Sequence, residues 1–385
     1  MPPEDDEVIQ KFSGSVKYIV KVLVSGGTGA MGGYLVKILA DAGAYVDVTT
    51  RQKRDSQNEN VKYIQGDAHD ISFMRPLLEK SSYDSVIDFM IYNTNQFREH
   101  YEMLTGNTKH YMFFSSSRVY ADSDSPIKES SPRLLDVCED KKYLETDEYA
   151  LTKARQENIL MNGRASNWTI IRPYITYSNE RLQLGVYEKE RWLYRAIHGR
   201  PVVFSRDIAE RYTTMTYGHD VAGAIAELAG NRNAFGQVYH ITGDDSLRWS
   251  DIAEIYKEVF AKVTGREMKI EYIDRAIDDT AQWKYDRLYD RIFDNSKIKS
   301  AVKDFRPVSI REGLTRCLSE FLNDNHAFRR INFISEARMD RITKTCALMK
   351  ELPDSFGGKA KYFLLRYFPF GFRVLRFMKK ILRRR

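Results

Sequence analysis

The chain has 385 residues, 43% of them hydrophobic and 29% charged, which suits a globular protein built as one large domain or two smaller ones. Three scattered cysteines, Cys138, Cys317 and Cys346, with no CxxC or Cys/His cluster, exclude a disulfide framework and a zinc site and predict free thiols in a reducing cytoplasm, with no bound metal. The net charge of +7 arises in residues 359–385, which hold ten Lys/Arg and no Asp/Glu; the remainder has 50 basic against 53 acidic residues, which predicts no nucleic-acid partner.

The start, MPPEDDEVIQKF, is acidic and lacks an apolar core, so it predicts a polar arm over 1–17 and no secretory signal. No run of eighteen apolar residues exists to span a bilayer. From Tyr18 a strand–turn–helix alternation begins. Strands are predicted at 18–24, 44–49, 61–65, 85–91, 110–115 and 168–172, with helical patterns between most of them. That alternation predicts an α/β fold, a Rossmann-type doubly wound parallel sheet with helices on both faces. After Pro173 a smaller mixed region follows, with a helix at 188–198, strands at 201–204 and 211–217, and a helix from His219. GQVYHITG reads as a strand returning to the main sheet, SLRWSDIAEIYKEVF as a helix capped by Ser250, and 309–351 as helical.

The predicted organisation is therefore a dinucleotide-binding domain at 18–178, joined by 205–243. A smaller α/β substrate-binding region comprises 179–204 and 244–325, followed by a helical extension at 326–358 and a basic tail at 359–385.

KVLVSGGTGAMGGYLVKIL (Lys21–Leu39) places five glycines in eight residues between a strand and a helix. Gly27, Gly29 and Gly32 form GxGxxG in the context a dinucleotide fingerprint requires, where backbone and helix N-terminus meet a pyrophosphate. The cofactor contacts predicted here are Gly26, Gly29, Ala30, Met31 and Gly32; the alternative is a turn forced by backbone geometry alone. At the tip of the second strand, where an acidic residue would grip the ribose of NAD, stands Thr50, followed by Arg51. A cation there can pair with the 2′-phosphate of NADP, so NADP is favoured over NAD, against the alternative of solvated loop charges. Asp67 is placed to accept from the adenine amino group, with Ala68 and Met90 completing the set.

EYALTK puts Tyr149 and Lys153 on one helical face, and MFFSSSRVY puts Ser115, Ser116 and Ser117 at a strand's carboxyl end. Together with the glycine turn and IIRPYITY, these motifs resemble the NAD-dependent epimerase/dehydratase family of the extended short-chain dehydrogenase/reductase superfamily, over residues 18–325. The resemblance implies that Tyr149 is acid/base toward a sugar hydroxyl or ketone. It makes Lys153 the anchor of the nicotinamide ribose and the cation favouring the phenolate. Ser116, three residues before Val119, would bond the substrate oxygen. Ser115 and Tyr174 would join the cofactor contacts, and Asn93, Ser117, Thr176 and Tyr177 would line the sugar. Arg211 and Arg287 would take the nucleoside diphosphate, against the alternative of surface charges or helix-end caps.

Two departures bear on the activity. Ser117-Arg118 stands where the family's dehydratases carry Asp-Glu, which argues against 4,6-dehydration. The connection between the fourth and fifth strands is short, as in the superfamily's atypical branch. The expected function is 4-epimerisation of a nucleotide-diphosphate sugar for glycan or polysaccharide biosynthesis. The alternatives are an NADPH-dependent ketosugar reductase and a non-catalytic, dinucleotide-binding or RNA-associated protein. Relatives of this kind imply a homodimer.

GFRVLRFMKKILRRR aligns Val374, Leu375, Met378, Ile381 and Leu382 on one stripe among Arg and Lys, the pattern of a basic interfacial helix. It predicts a cytoplasmic protein held peripherally on the inner face of the cell membrane through 359–385; the alternative is a helix packed on its own globe or on a partner subunit.

Overall fold

Val22, Leu23 and Val24 are fully buried in succession, the pattern of a strand covered on both faces. That strand opens the part of the chain described by the computed structural model, which comprises residues 21–29, 31–324 and 327–368. In chain order come β1 (Lys21–Ser25), α1 (Gly32–Asp41), β2 (Tyr45–Thr50), β3 (Val61–Gln65), α2 (Ile71–Lys80), β4 (Ser85–Asp88), α3 (Thr94–Gly106), β5 (Tyr111–Phe114), α4 (Tyr149–Met161) and β6 (Trp168–Pro173). Then follow α5 (Lys189–Ile197), β7 (Val202–Ser205), α6 (Gly218–Leu228), β8 (Gln237–Ile241), α7 (Trp249–Thr264), β9 (Ile270–Ile273), α8 (Ile310–Asn323), α9 (Phe333–Ile342) and α10 (Phe356–Tyr367).

Seven parallel strands form one sheet in the order β8-β6-β5-β4-β1-β2-β3. The strand order reverses between β1 and β4, and in such sheets the crevice outside that switch point receives the ligand. Alternation along each strand divides the core. Val22, Val46, Ile87, Met112 and Ile171 meet α1 and α6. Leu23, Val86, Tyr111, Phe113 and Ile170 meet α2, α3 and α4 on the other side. β8 returns to pair with β6, as the sequence predicts.

Some boundaries differ from expectation. β4 stops at Asp88, short of residue 91, because the Asp88 carboxylate accepts from the Met90 N–H at 3.0 Å and turns the chain. The strand expected over 211–217 is two short pieces, Tyr212–Thr213 and Thr216–Tyr217. Ser250 is not a cap: α7 begins at Trp249, and the Asp251 carboxylate accepts from the Arg248 N–H at 3.0 Å. The β4–β5 connection holds the 13-residue α3.

The chain divides into two units. The first holds the sheet and comprises the chain up to Ser178, Tyr212–Leu247 and Tyr289–Gly313. The returning segment is thus 212–247 instead of 205–243, and 289–313 joins the sheet instead of the substrate region. Arg291 holds that second segment there, donating to the carbonyls of Tyr120 (3.1 Å) and Ala121 (3.0 Å). The second unit, Asn179–Arg211, Arg248–Leu288 and the chain from Leu314, contains the parallel pair β7–β9, α5 and α7. There α9 and α10 form a hairpin, so α10 runs across the expected boundary at 358/359; the predicted stripe from Val374 to Leu382 lies outside the described residues.

Candidate active site

The glycine turn lies at the carboxyl end of β1, beside β4. Gly26 has φ +72°, a left-handed conformation that glycine adopts without strain, and its N–H donates to Thr49 Oγ1 at 3.2 Å. A Cβ on Gly32 would come within 2.5 Å of the Gly27 carbonyl oxygen, so glycine here lets α1 pack onto the turn. A Cβ on Gly29 would meet nothing within 4 Å, so that side of the turn is open to approach. The first turn of α1 carries no acidic residue, and no side chain caps it at Met31. Open backbone at Gly29 and an uncapped helix N-terminus fit a pyrophosphate. Ala30 lies outside the described residues.

The adenosine-side residues stand at the ends of β2, β3 and β4. Thr50 is nearly buried and spends its hydroxyl on the Gln52 carbonyl at 3.1 Å. Arg51 is exposed. Asp67 is exposed too; the His69 backbone N–H, the His69 ring and, more weakly, Arg51 hold its carboxyl below the usual range. Ala68 is buried among Met74 and Leu78. The Met90 sulfur stands 3.1 Å from where a Gly26 Cβ would lie, so Met90 closes the turn from the β4 side.

Tyr149 is the first residue of α4 and Lys153 stands one turn further. The Lys153 ammonium donates to the Phe114 carbonyl at the end of β5 (2.6 Å) and lies 4.7 Å from the Phe113 ring and 6.0 Å from the Tyr149 ring. Burial pulls its pKa down to about 8, against the opposing attraction of Asp88 and Glu157. Asp88 is wholly buried, accepts from the Tyr111 hydroxyl at 2.8 Å, and burial raises its pKa.

The three serines part company. Ser116 is extended at the start of a short 3-10 turn, its hydroxyl oxygen accepting from the local Arg118 N–H at 3.2 Å. Ser115 and Ser117, expected at cofactor and sugar, turn inward instead. Ser115 donates to the buried Glu157 at 2.5 Å, and Ser117 to the Arg172 carbonyl at 2.8 Å. Glu157 in turn accepts two bonds from Arg172, both 2.7 Å, and one from Arg133 at 3.0 Å.

Arg118 was not among the predicted site residues. Its guanidinium lies 5.4 Å from the Tyr149 ring centroid and donates to Glu148 at 2.5 Å. Glu148 also caps α4 through the Ala150 N–H (2.7 Å) and accepts from the Tyr143 hydroxyl (3.0 Å). The available signal was the replacement of Asp-Glu by Ser117-Arg118.

Other expected sugar contacts are structural. Asn93 is the N-cap of α3, in a capping box with Gln96 at 2.9 and 3.0 Å. Tyr174, expected at the nicotinamide, is buried with its ring centroid 5.3 Å from that of Phe293. Thr176 and Tyr177 pair with Thr216 and Tyr217 and are buried. Between them and Tyr174, Ile175 adopts φ +33°, an uncommon state for a β-branched residue. Arg211 and Arg287 belong to the second unit. Arg211 is exposed and accepts the Trp249 N–H on its carbonyl at 3.0 Å. Arg287 is buried, donating to the Gly185 carbonyl at 2.9 Å and paired with Asp286, so its fork serves the interior.

A parallel sheet with a glycine turn at its switch point and a Tyr/Lys pair over β5 defines a dinucleotide-binding protein of the extended short-chain dehydrogenase/reductase type. The chain belongs to the NAD dependent epimerase/dehydratase family, whose model matches residues 22–242. A curated relative, the chloroplast stem-loop binding protein of 41 kDa b of Arabidopsis thaliana, is 24% identical over 250 residues. That match spans 61% of each chain. Three solved structures share the fold. An epimerase of Methanothermobacter thermautotrophicus is 19% identical, with TM-score 0.64 over 84% of this chain and 97% of that one. The UDP-glucuronic acid 4-epimerase of Bacillus cereus, solved with UDP-glucuronic acid and NAD, is 16% identical, with TM-score 0.61 over 80% and 100%. A dTDP-glucose 4,6-dehydratase of Bacillus anthracis, solved with NAD, is 15% identical, with TM-score 0.60 over 80% and 97%.

Proposed function

We propose that the protein is a nucleotide-sugar oxidoreductase/epimerase that inverts a sugar 4-hydroxyl through a transient keto sugar, in glycan or polysaccharide biosynthesis. The observation that carries this reading is Lys153, buried one helical turn from Tyr149 and held on the Phe114 carbonyl at the carboxyl end of β5. A free tyrosine, with pKa about 10, is a poor base at neutral pH. A neighbouring ammonium favours the phenolate. Bound in the glycine turn, nicotinamide dinucleotide supplies the hydride acceptor and later the donor.

Tyr149 then takes the proton of the sugar hydroxyl as the C–H bond on the same carbon breaks and a carbonyl forms. Ser116 donates to that oxygen. When hydride returns to the opposite face, Tyr149 gives the proton back and the configuration is inverted. Arg51, directly after the Thr50 that stands where an acidic residue would select NAD, supports NADP. It also supports the reading in which the enzyme reduces a ketosugar with NADPH. The stem-loop binding relative raises an RNA-associated role, which the mildly acidic balance outside 359–385 speaks against.

The experiment incubates the protein with UDP- and dTDP-sugars and either dinucleotide, following products by proton NMR. Interconversion of 4-epimers that Tyr149→Phe abolishes supports the proposal. Consumption of NADPH by a ketosugar without epimer formation favours the reductase. Activity undiminished in Tyr149→Phe refutes both.

A further inference from the structure

α10 presents two apolar faces. One is buried: Tyr362 and Leu365 pack into the α9–α10 hairpin, and the Tyr362 hydroxyl donates to Asp340 at 2.5 Å and accepts the Ala347 N–H at 2.7 Å. The other carries Phe356 and Tyr367, with the half-buried Phe363 between them also packing against the hairpin core; the three are spaced seven and four apart and so on one side of the helix. Phe356 there is 88% exposed and Tyr367 53% exposed, and Tyr367 stacks on Phe363 at 6.3 Å. Phe368 continues the stripe, and Leu348 and Met349 stand out from the preceding loop. Five of the eleven large apolar side chains exposed among the described residues thus fall within one hairpin, a clustering that marks an interaction surface.

Charge decides what covers it. Residues 355–368 contain Lys359, Lys361 and Arg366 and no Asp or Glu. The sequence onward to 385 adds seven more Lys/Arg, still without an acid, interleaved with Phe, Val, Leu, Met and Ile. Aromatic side chains settle at the boundary between hydrocarbon and headgroup, and cations beside them pair with anionic lipid. A second copy of this chain would bring the same positive charge against its own.

The hairpin is also fixed in place. Arg195 donates to Glu336 at 3.0 Å, and Arg200 to Asp340 at 2.8 Å and to Glu351 at 3.1 Å, in a buried ion network. No helix among the described residues is long and apolar enough to cross a membrane.

We propose that the Phe356–Phe363–Tyr367 face of α10, with Phe368, Leu348 and Met349, seats the protein on an anionic lipid bilayer. The assignment stands apart from the chemistry at the carboxyl end of β5. Its test is sedimentation of the full chain with phosphatidylcholine vesicles, with and without phosphatidylglycerol. The comparison is the variant Phe356→Ser/Tyr367→Ser/Phe368→Ser, which leaves Tyr362 and Leu365 in place and whose melting by circular dichroism checks the fold. The expected result is binding that requires phosphatidylglycerol, weakens with salt, and falls about tenfold or more in the variant. Binding unchanged by the substitutions overturns the proposal. So does an absence of binding to the anionic vesicles, or a dimer of the wild type that the substitutions dissolve.

Discussion

Glu157 ties together a buried ion cluster of the first unit. It lies one turn beyond Lys153 and two beyond Tyr149, on the same face of α4, and is fully buried. Its carboxylate holds Arg172 at the end of β6 through two bonds of 2.7 Å and Ser115 at the end of β5 at 2.5 Å. Glu157→Gln keeps the shape and removes the charge, so Arg172, 2% exposed, is left as a buried cation without its carboxylate. Breaking a buried pair from one side costs about 3–5 kcal/mol. Arg133 retains Asp136 at 2.8 and 3.0 Å, which places the loss at the low end, about 3 kcal/mol. For a unit of this size that lowers Tm by about 6–12 °C. Scanning calorimetry reads it directly. The double variant Glu157→Gln/Arg172→Gln should recover part of the loss, because neither charge is then left alone. A single variant melting within about 2 °C of wild type, or a double variant worse than the sum of the two singles, would refute the ion-pair account.

Lys153 supports the Tyr149 phenolate only while protonated, and burial sets its pKa at about 8, so activity should fall as pH rises through about 8. Lys153→Arg, charged throughout, should lower kcat but move that descending limb beyond pH 10; a limb unmoved would assign it to another group. Arg118→Met should raise the pH at which Tyr149 acquires its negative charge, read by carbon NMR of ζ-labelled tyrosine with Tyr149→Phe as the assignment control, and Arg118→Lys should restore part of the shift; an unmoved titration would remove Arg118 from that role. His110 is buried between Thr169 and the Gly230 N–H, and burial depresses its pKa to about 4 from 6.5. The unfolded chain therefore takes up that proton first: the contribution is complete above pH 6.5 and about 3 kcal/mol is lost as pH falls to 4. His110→Asn should flatten the Tm-versus-pH slope in that window; an unaltered slope would place the loss elsewhere.

The parts of the fold visible in the sequence are those that depend on neighbouring residues. YMFF can only be a strand buried on both faces, and the glycine turn announces itself because each glycine answers a local backbone demand at Gly26 or Gly32. The inward turn of Ser115 and Ser117 was not visible, since their partners lie 42 and 55 residues further along the chain. Asn93 was legible and misread. NTNQ carries the Asn-x-x-Gln spacing of a capping box, but its place after β4 suggested a ligand contact. The burial of Arg287 and the attachment of 289–313 to the sheet depend on carbonyls of remote segments, for which periodicity holds no signal.

The electrostatics around Tyr149 bear on which reaction the site is made for. The Arg118 guanidinium lies 5.4 Å and the Lys153 ammonium 6.0 Å from the ring centroid, and the N-terminus of α4 adds the partial positive charge of its first turn. The adjacent Glu148 carboxylate is already engaged by Arg118, Tyr143 and the Ala150 N–H. All three sources of positive potential favour a phenolate that accepts a hydroxyl proton. Eliminating water from a sugar needs, besides that base, an acid to protonate the departing hydroxyl. The position that carries such an acid in the dehydratases this chain resembles is occupied here by Ser117, turned onto the Arg172 carbonyl, and by Arg118, a permanent cation. Ser117-Arg118 thus brings a second cation to 5.4 Å from the Tyr149 ring centroid where the dehydratases carry Asp-Glu, which is the reason epimerisation is proposed above over elimination.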